Sequence, residues 1–432
     1  MRAGFGAALI LLMLANFAGA STSTAQTPAI RNDPEPGIPW LEIAMAVEGV
    51  DVTALRKAAD PNSEEQQKLV AAIELAWLRR EADAAAALRA SADTLHSRAL
   101  RLEALNMLMA VDLRAGNYSL AATVGRESQA LAPPNPQQSD LLTAAEAVKG
   151  TPPMTLSGKA QGELPMTLEK DGIPRAKVAI NGLEQEAALD TGSAFSVVSQ
   201  SVANRAGVRL LNVVMRIMPA GGVVARAGLG VANELVIADA TFRNVVVLIL
   251  PDADMDIFGE AKVGAIIGLP IFLKMGRIAM RPKSDGFDFA FGPSSEQPGK
   301  ASNRRLHKLI PVLSGTIGRR KPAMINMLLD TGASLTEFFA RFAVSFPDLV
   351  ATASTVSARS AVIGDASLSR SARRLGPLRL DIGGASLALT GADVHEDQHP
   401  SYHGVLGQDF LRQGFTVDFD AMTFELTPCS AH

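Results

Sequence analysis

Ala187-Ala188-Leu189-Asp190-Thr191-Gly192-Ser193 and Met327-Leu328-Leu329-Asp330-Thr331-Gly332-Ala333 decide the fold of this chain. In each stretch an apolar, strand-like run (Glu186 to Leu189, Ile325 to Leu329) delivers an aspartate to a Thr-Gly corner. Glycine at that corner permits a tight turn and lets the backbone approach a neighbour closely. Threonine supplies a hydroxyl that can satisfy buried backbone groups. The next residue is small in both copies, Ser193 and Ala333. The Ser193 hydroxyl is expected to donate to the carboxylate of its own copy, which Ala333 cannot do. A single Asp-Thr-Gly triplet arises by chance roughly 0.1 times in a chain of this length and alone would read as an Asp-led turn.

The surroundings of the two triplets also repeat. Ala265-Ile266-Ile267-Gly268-Leu269-Pro270-Ile271-Phe272-Leu273 follows the first, and Gly404-Val405-Leu406-Gly407-Gln408-Asp409-Phe410-Leu411 follows the second. Gly268 lies 78 residues after Asp190, and Gly407 lies 77 after Asp330. Each part then ends in strand-like segments, Arg277–Met280 with Phe287–Phe291, and Phe415–Phe419 with Phe424–Leu426. Matched spacing of this kind indicates a duplicated architecture.

Over about residues 155 to 432 this pattern resembles the pepsin and retropepsin superfamily of aspartic proteases, and most closely the retropepsin-type lobes of exported bacterial proteins, here two in one chain. The resemblance rests on Asp190-Thr191-Gly192-Ser193 with Ile266-Ile267-Gly268, and on Asp330-Thr331-Gly332-Ala333 with Val405-Leu406-Gly407. It implies that each lobe supplies one catalytic aspartate, Asp190 and Asp330, with Gly268 and Gly407 on strands supporting the aspartate loops. It also implies hydrolysis of peptide bonds by a water held between the carboxyls, with no metal and no cofactor. Family members close a glycine-tipped flap over substrate. The candidate here is Met218-Pro219-Ala220-Gly221-Gly222-Val223, while Ser360-Ala361-Val362-Ile363-Gly364-Asp365 in the second copy is a weaker match.

Outward from the repeats, a Gly/Pro/Ser stretch at 294–303 separates lobes expected at 155–293 and 304–432. Before them, residues 38–150 read as helical. Ser63-Glu64-Glu65 marks a helix start, Ala84–Ala92 is rich in the strongest helix former, and helices are expected over about Thr94–Arg114 and Tyr118–Leu131, parted by Ala115-Gly116-Asn117. Leu105, Leu108, Gly116, Tyr118, Ala121 and Pro133 resemble one tetratricopeptide repeat. Such a region is an expected surface for a protein partner. The fold expected is therefore multi-domain, an α-helical, tetratricopeptide-like domain followed by two mainly-β lobes forming a bilobal acid-protease fold.

Residues 26–37 form a Pro-rich linker. Ahead of it, Arg2, the apolar run Ala7–Ala15 and small residues at Ala18-Gly19-Ala20 and Ser23-Thr24-Ala25 have the form of a secretory signal peptide over 1–25. Export to a periplasm is the expectation, with no membrane association beyond that segment. The lone Cys429 excludes an internal disulfide. A net charge of -3 and pI near 6.1 give no electrostatic footprint for nucleic acid. His395, His399 and His403 stand at i, i+4 and i+8, but Pro400 and Gly404 argue against a helix. They are expected in a solvated loop rather than around a metal. Arg304-Arg305, Arg319-Arg320-Lys321 and Arg373-Arg374 are expected on solvated faces. Paired carboxylates also serve glycosidases, but nothing in a Thr-Gly context asks for that chemistry. Two functions are left, a peptidase acting on a peptide or protein substrate, or a binding module that kept the fold without useful activity.

Overall fold

The computed structural model of the chain describes residues 12–13 and 39–427, except 135, 169–171, 220–224, 256–262, 285, 295–301, 319–321, 363–364 and 397–401. The flap glycines Gly221 and Gly222, the basic run 319–321, His399 and Cys429 lie outside the described residues. So does the apolar leader, apart from Leu12–Met13, a two-residue strand paired antiparallel with Met218 and Pro219.

The chain begins its helical region with α1 (Pro39–Glu48), α2 (Val52–Ala58), α3 (Glu64–Trp77), α4 (Glu81–Thr94), α5 (Arg98–Ala115), α6 (Tyr118–Leu131) and α7 (Pro136–Val148). Ser63 caps α3, its hydroxyl accepting from the Gln66 N–H at 3.4 Å. The helix expected to begin at Thr94 begins instead at Arg98. Thr94 closes α4, and Ser97 caps α5 by accepting from the Leu100 N–H. A capping hydroxyl satisfies a donor that the helix leaves free, so a serine there sets the start. The α5 helix is apolar around most of its girth because α3, α4 and α6 pack about it, burying Leu100, Leu105, Met107, Leu108 and Val111.

A mainly-β region follows. Its heart is the same arrangement twice. In the first copy, Leu183–Leu189 runs antiparallel to Pro174–Ile180 and parallel to Ala265–Ile267, which in turn lies antiparallel to Ser196–Ser199. In the second, Ala323–Leu329 runs antiparallel to Ile310–Ile317 and parallel to Gly404–Leu406, which lies antiparallel to Glu337–Phe339. The copies are stitched together by their terminal strands. Arg277–Lys283 pairs with Phe415–Asp418, Ile278 opposite Val417, so the last hairpin of the second copy completes the sheet of the first.

Strand alternation sorts the side chains. Ala187, Leu189, Ala265 and Ile267 join Met327, Leu329 and Leu406 in one large apolar core. Their neighbours turn the other way. Ala188 and Ile266, paired in register, cluster with Ala144 and Val148 of α7. Leu328 and Val405, likewise paired, belong to the cluster built on α1 to α7.

Polar contacts fix the helical region against the β region. The buried Arg114 guanidinium donates to the Lys308 carbonyl at 2.6 Å and to the Leu306 carbonyl at 3.3 Å, while pairing with Glu81 at 2.8 Å. Asn326 donates to the Gly49 and Val50 carbonyls at 2.8 and 3.2 Å. Lys308 pairs with Glu48 at 2.7 Å. Burial alone would raise the Glu48 carboxyl, but Lys308 and His307 hold it well below the usual carboxylate range.

Two surface expectations fail. Arg304 is 0% exposed; it donates to the Asp418 carbonyl at 3.0 Å and lies 4.0 Å over the Phe419 ring, and burial pulls its guanidinium down to about 9. The carbonyl and the ring face offset only part of that cost, since Nε and Nη1 are buried without a hydrogen-bond partner among the described residues. His395 and His403 are also buried, not solvated. His395 lies on the strand Asp393–His395 beside Phe339, and His403 accepts from the Asn326 N–H at 3.1 Å.

Candidate active site

Each Asp-Thr-Gly corner stands where its strand ends. The Asp190 N–H donates to the Ile267 carbonyl at 2.9 Å, and the Asp330 N–H to the Leu406 carbonyl at 3.3 Å. The later apolar strand of each copy thus holds its aspartate backbone. The two glycines that follow those strands sit under the corners. A Cβ on Gly268 would fall 2.3 Å from the Phe195 carbonyl oxygen, and one on Gly407 would fall 2.4 Å from that of Leu335. No side chain fits there. The Gly268 N–H donates to the Ser196 hydroxyl at 3.0 Å, and the Gly407 N–H to the Thr336 hydroxyl at 3.1 Å.

The fold brings the two corners face to face. Thr191 donates its hydroxyl to the Leu329 carbonyl at 2.8 Å and accepts from the Thr331 N–H at 3.2 Å. Thr331 returns both bonds, donating to the Leu189 carbonyl at 2.5 Å and accepting from the Thr191 N–H at 3.0 Å. Each threonine therefore satisfies a donor and an acceptor of the opposite copy. Gly192 and Gly332 permit the approach, since a Cβ on Gly192 would lie 2.7 Å from the Asp330 carboxyl carbon and one on Gly332 2.6 Å from that of Asp190.

The carboxyls are held alike. Asp190 Oδ1 accepts from the N–H groups of Gly192 at 2.8 Å and Ser193 at 3.1 Å; Asp330 Oδ1 accepts from that of Gly332 at 2.8 Å. In both, Oδ2 is buried and has no hydrogen-bond partner among the described residues. The Ser193 hydroxyl does not donate to Asp190 as expected. It donates instead to the Phe195 carbonyl at 2.7 Å, and the Ser193 backbone N–H serves the carboxylate.

Both aspartates are 0% exposed. Burial raises the Asp190 carboxyl well above its usual value and the charge of Asp330 adds to the rise. Burial likewise pushes Asp330 up to about 7, opposed by the neighbouring Asp190 carboxyl and by the N–H groups of Gly332 and Ala333. Two adjacent carboxyls in a low-dielectric site cannot both ionise cheaply, so the pair keeps a proton to higher pH. No group of metal-binding side chains occurs among the described residues.

Several supporting residues were not singled out from the sequence. Ser196 and Thr336 both stand six positions after the aspartate, a hydroxyl shared by both copies that aligning the repeats could have revealed. Gln408 donates to the Thr331 carbonyl at 2.7 Å, and its counterpart Leu269 cannot. Tyr402 is buried, and burial together with the charge of Asp330 lifts its phenol well above the usual value. Neither residue has a repeat-based signal.

A model of the aspartyl protease family matches residues 176–271, a span that holds Asp190 and Gly268. No curated protein matches the chain. Among solved structures the chain is similar to a retropepsin-like aspartic protease from Rickettsia conorii, at 14% identity and a TM-score of 0.22 over 32% of this chain and 94% of that one. Over residues 176–271 this chain is similar to the aspartyl proteases.

Proposed function

We propose that the chain is an aspartic endopeptidase of two retropepsin-type lobes, 155–293 and 304–432, whose catalytic groups are Asp190 and Asp330. The observation that carries this reading is the pair itself, two carboxyls from equivalent corners, cross-linked by reciprocal threonine bonds, each with Oδ2 unpartnered. In the reaction a water lies between the carboxyls. The ionised one takes a proton as the water oxygen attacks the peptide carbonyl carbon. The protonated one donates to the carbonyl oxygen, giving a gem-diol. Proton transfer to the amide nitrogen then breaks the C–N bond and releases an amine and an acid. The pair ends with one proton, as it began.

The substrate is an unfolded peptide or protein segment. The N-terminal leader supports export to a periplasm, and the helical region, with its tetratricopeptide-like hairpin of α5 and α6, would meet a protein partner. Complete burial of both carboxyls favours a second reading, a protease fold that binds without cleaving. Cleavage of casein from acid to neutral pH separates the two. The peptidase reading expects turnover that falls on the order of 10³-fold in Asp190→Asn, the scale of general acid–base catalysis. Turnover surviving in Asp190→Asn would refute it.

A further inference from the structure

We infer that the helical region is a built-in cover over the carboxyl pair, and that the site acts only when α1 to α7 are displaced. The inference rests on the peptidase reading for its consequence, but its geometry stands independently. Residues two apart on a strand share a face, so Ala188 lies on the side of Asp190, and Leu328 and Asn326 lie on the side of Asp330. That side is where a peptide would have to lie to reach the carboxyls. It is occupied. Ala188 and its partner Ile266 are packed in one cluster with Ala144 and Val148 of α7, and all four are buried. Leu328 and Val405, 0% exposed, are packed in a cluster drawn from α1 to α7. Asn326 binds directly to the carbonyls of Gly49 and Val50 at the end of α1.

The corner of the first copy also faces the helices. Leu113, Ala115 and Gly116 at the end of α5, with Tyr118 of α6, line a small cavity together with Ala194 and Phe195, the residues just after the Asp190 corner. The helices thus share a wall with the residues that follow the first carboxyl, while the paired threonines brace the corners. Polar contacts away from the pair add to this apolar packing, at Glu48–Lys308, Arg114 to the Leu306 and Lys308 carbonyls, and Asp140–Arg216. The connection from α7 to the β region is exposed at Lys149, Gly150, Pro152 and Pro153, so it can be cut without unfolding either side.

The test uses the full chain with a site for a sequence-specific protease inserted at Gly150, as wild type and with Glu48→Gln plus Asn326→Ala to weaken the contacts. Casein cleavage is measured before and after nicking. In a parallel chain carrying Cys429→Ser and Leu328→Cys, the rate of thiol labelling reports exposure of the covered face. Because the open form of such an equilibrium is typically populated at about 0.1–10%, release should raise both rates at least about 10-fold. Thiol labelling of the Leu328→Cys chain as fast when intact as after release would overturn the cover. Faster labelling with cleavage unchanged from an already active intact chain would overturn its control of the site. Faster labelling with no cleavage in any form would uphold the cover and refute the peptidase reading. The nicked chain with wild-type interface residues keeps the test decisive if the substituted one fails to fold.

Discussion

Residues 190–192 and 330–332 exchange the same threonine bonds across the pair, and residues 193–195 and 333–335 do not match. In the first copy Ser193 donates to the Phe195 carbonyl, and Phe195 packs against the helical region. In the second, Ala333 has no hydroxyl to offer, and Leu335 is 43% exposed. Beneath the corners the copies differ again, with Gln408 tying down the Thr331 carbonyl where the first copy has Leu269. The difference follows from what each part must satisfy. The corner of one copy completes the hydrogen bonds of the other, so neither can change alone. The rim answers to whatever packs on it, and the helical region packs unevenly.

The sharpest break in that equivalence would come at the glycines. Gly192→Ala and Gly332→Ala each place a methyl against the opposite carboxyl. Each should cost on the order of 3 kcal/mol by overpacking, measured by urea unfolding, and should abolish cleavage. A loss in one and not the other would show that the corners are not equivalent. Next come the threonines. Thr191→Ala strands the Leu329 carbonyl and the Thr331 N–H, and Thr331→Ala strands the Leu189 carbonyl and the Thr191 N–H. Two buried unsatisfied groups cost about 2–4 kcal/mol, equal for the two variants, with recovery in Thr→Ser.

The pH dependence of stability tests the pair as one unit. Both carboxyls titrate higher in the folded chain than in the unfolded one, through burial first. The folded state then holds the extra protons, and stability is fully present below the unfolded values, near 4. It is lost as pH rises towards about 7, the folded value of Asp330. Asp330 alone accounts for about 4 kcal/mol of that loss, taking about 1.4 kcal/mol per pKa unit, and Asp190 adds to it in the same direction. Asp330→Asn should flatten that slope in thermal melts between pH 4 and 7. An unchanged slope would place the titrating group elsewhere. The smallest effect is expected at the rim, where Leu335→Ala should change stability by less than about 0.5 kcal/mol and Phe195→Ala by about 2 kcal/mol or more.

The general order of the chain, helices and then strands, is legible in the sequence because it is written in local periodicity and in Gly and β-branched content. The duplication is legible because matched residues recur at 78 and 77 residues' separation. What lies between elements is not. Ala188 and Leu328 read as ordinary strand residues, and only the fold shows that α7 and the other helices lie across them. His395 and His403 looked solvated because Pro400 and Gly404 break helices, which says nothing about burial on a strand. Arg304 looked exposed by charge alone, and its ring and carbonyl partners are more than a hundred residues away.

The most direct test of the central claim is casein cleavage by wild type, Asp190→Asn, Asp330→Asn and the double variant, with folding checked by circular dichroism. A single site shared by both copies predicts that each single substitution removes activity as completely as the double one does. A single variant with near-normal turnover would contradict it.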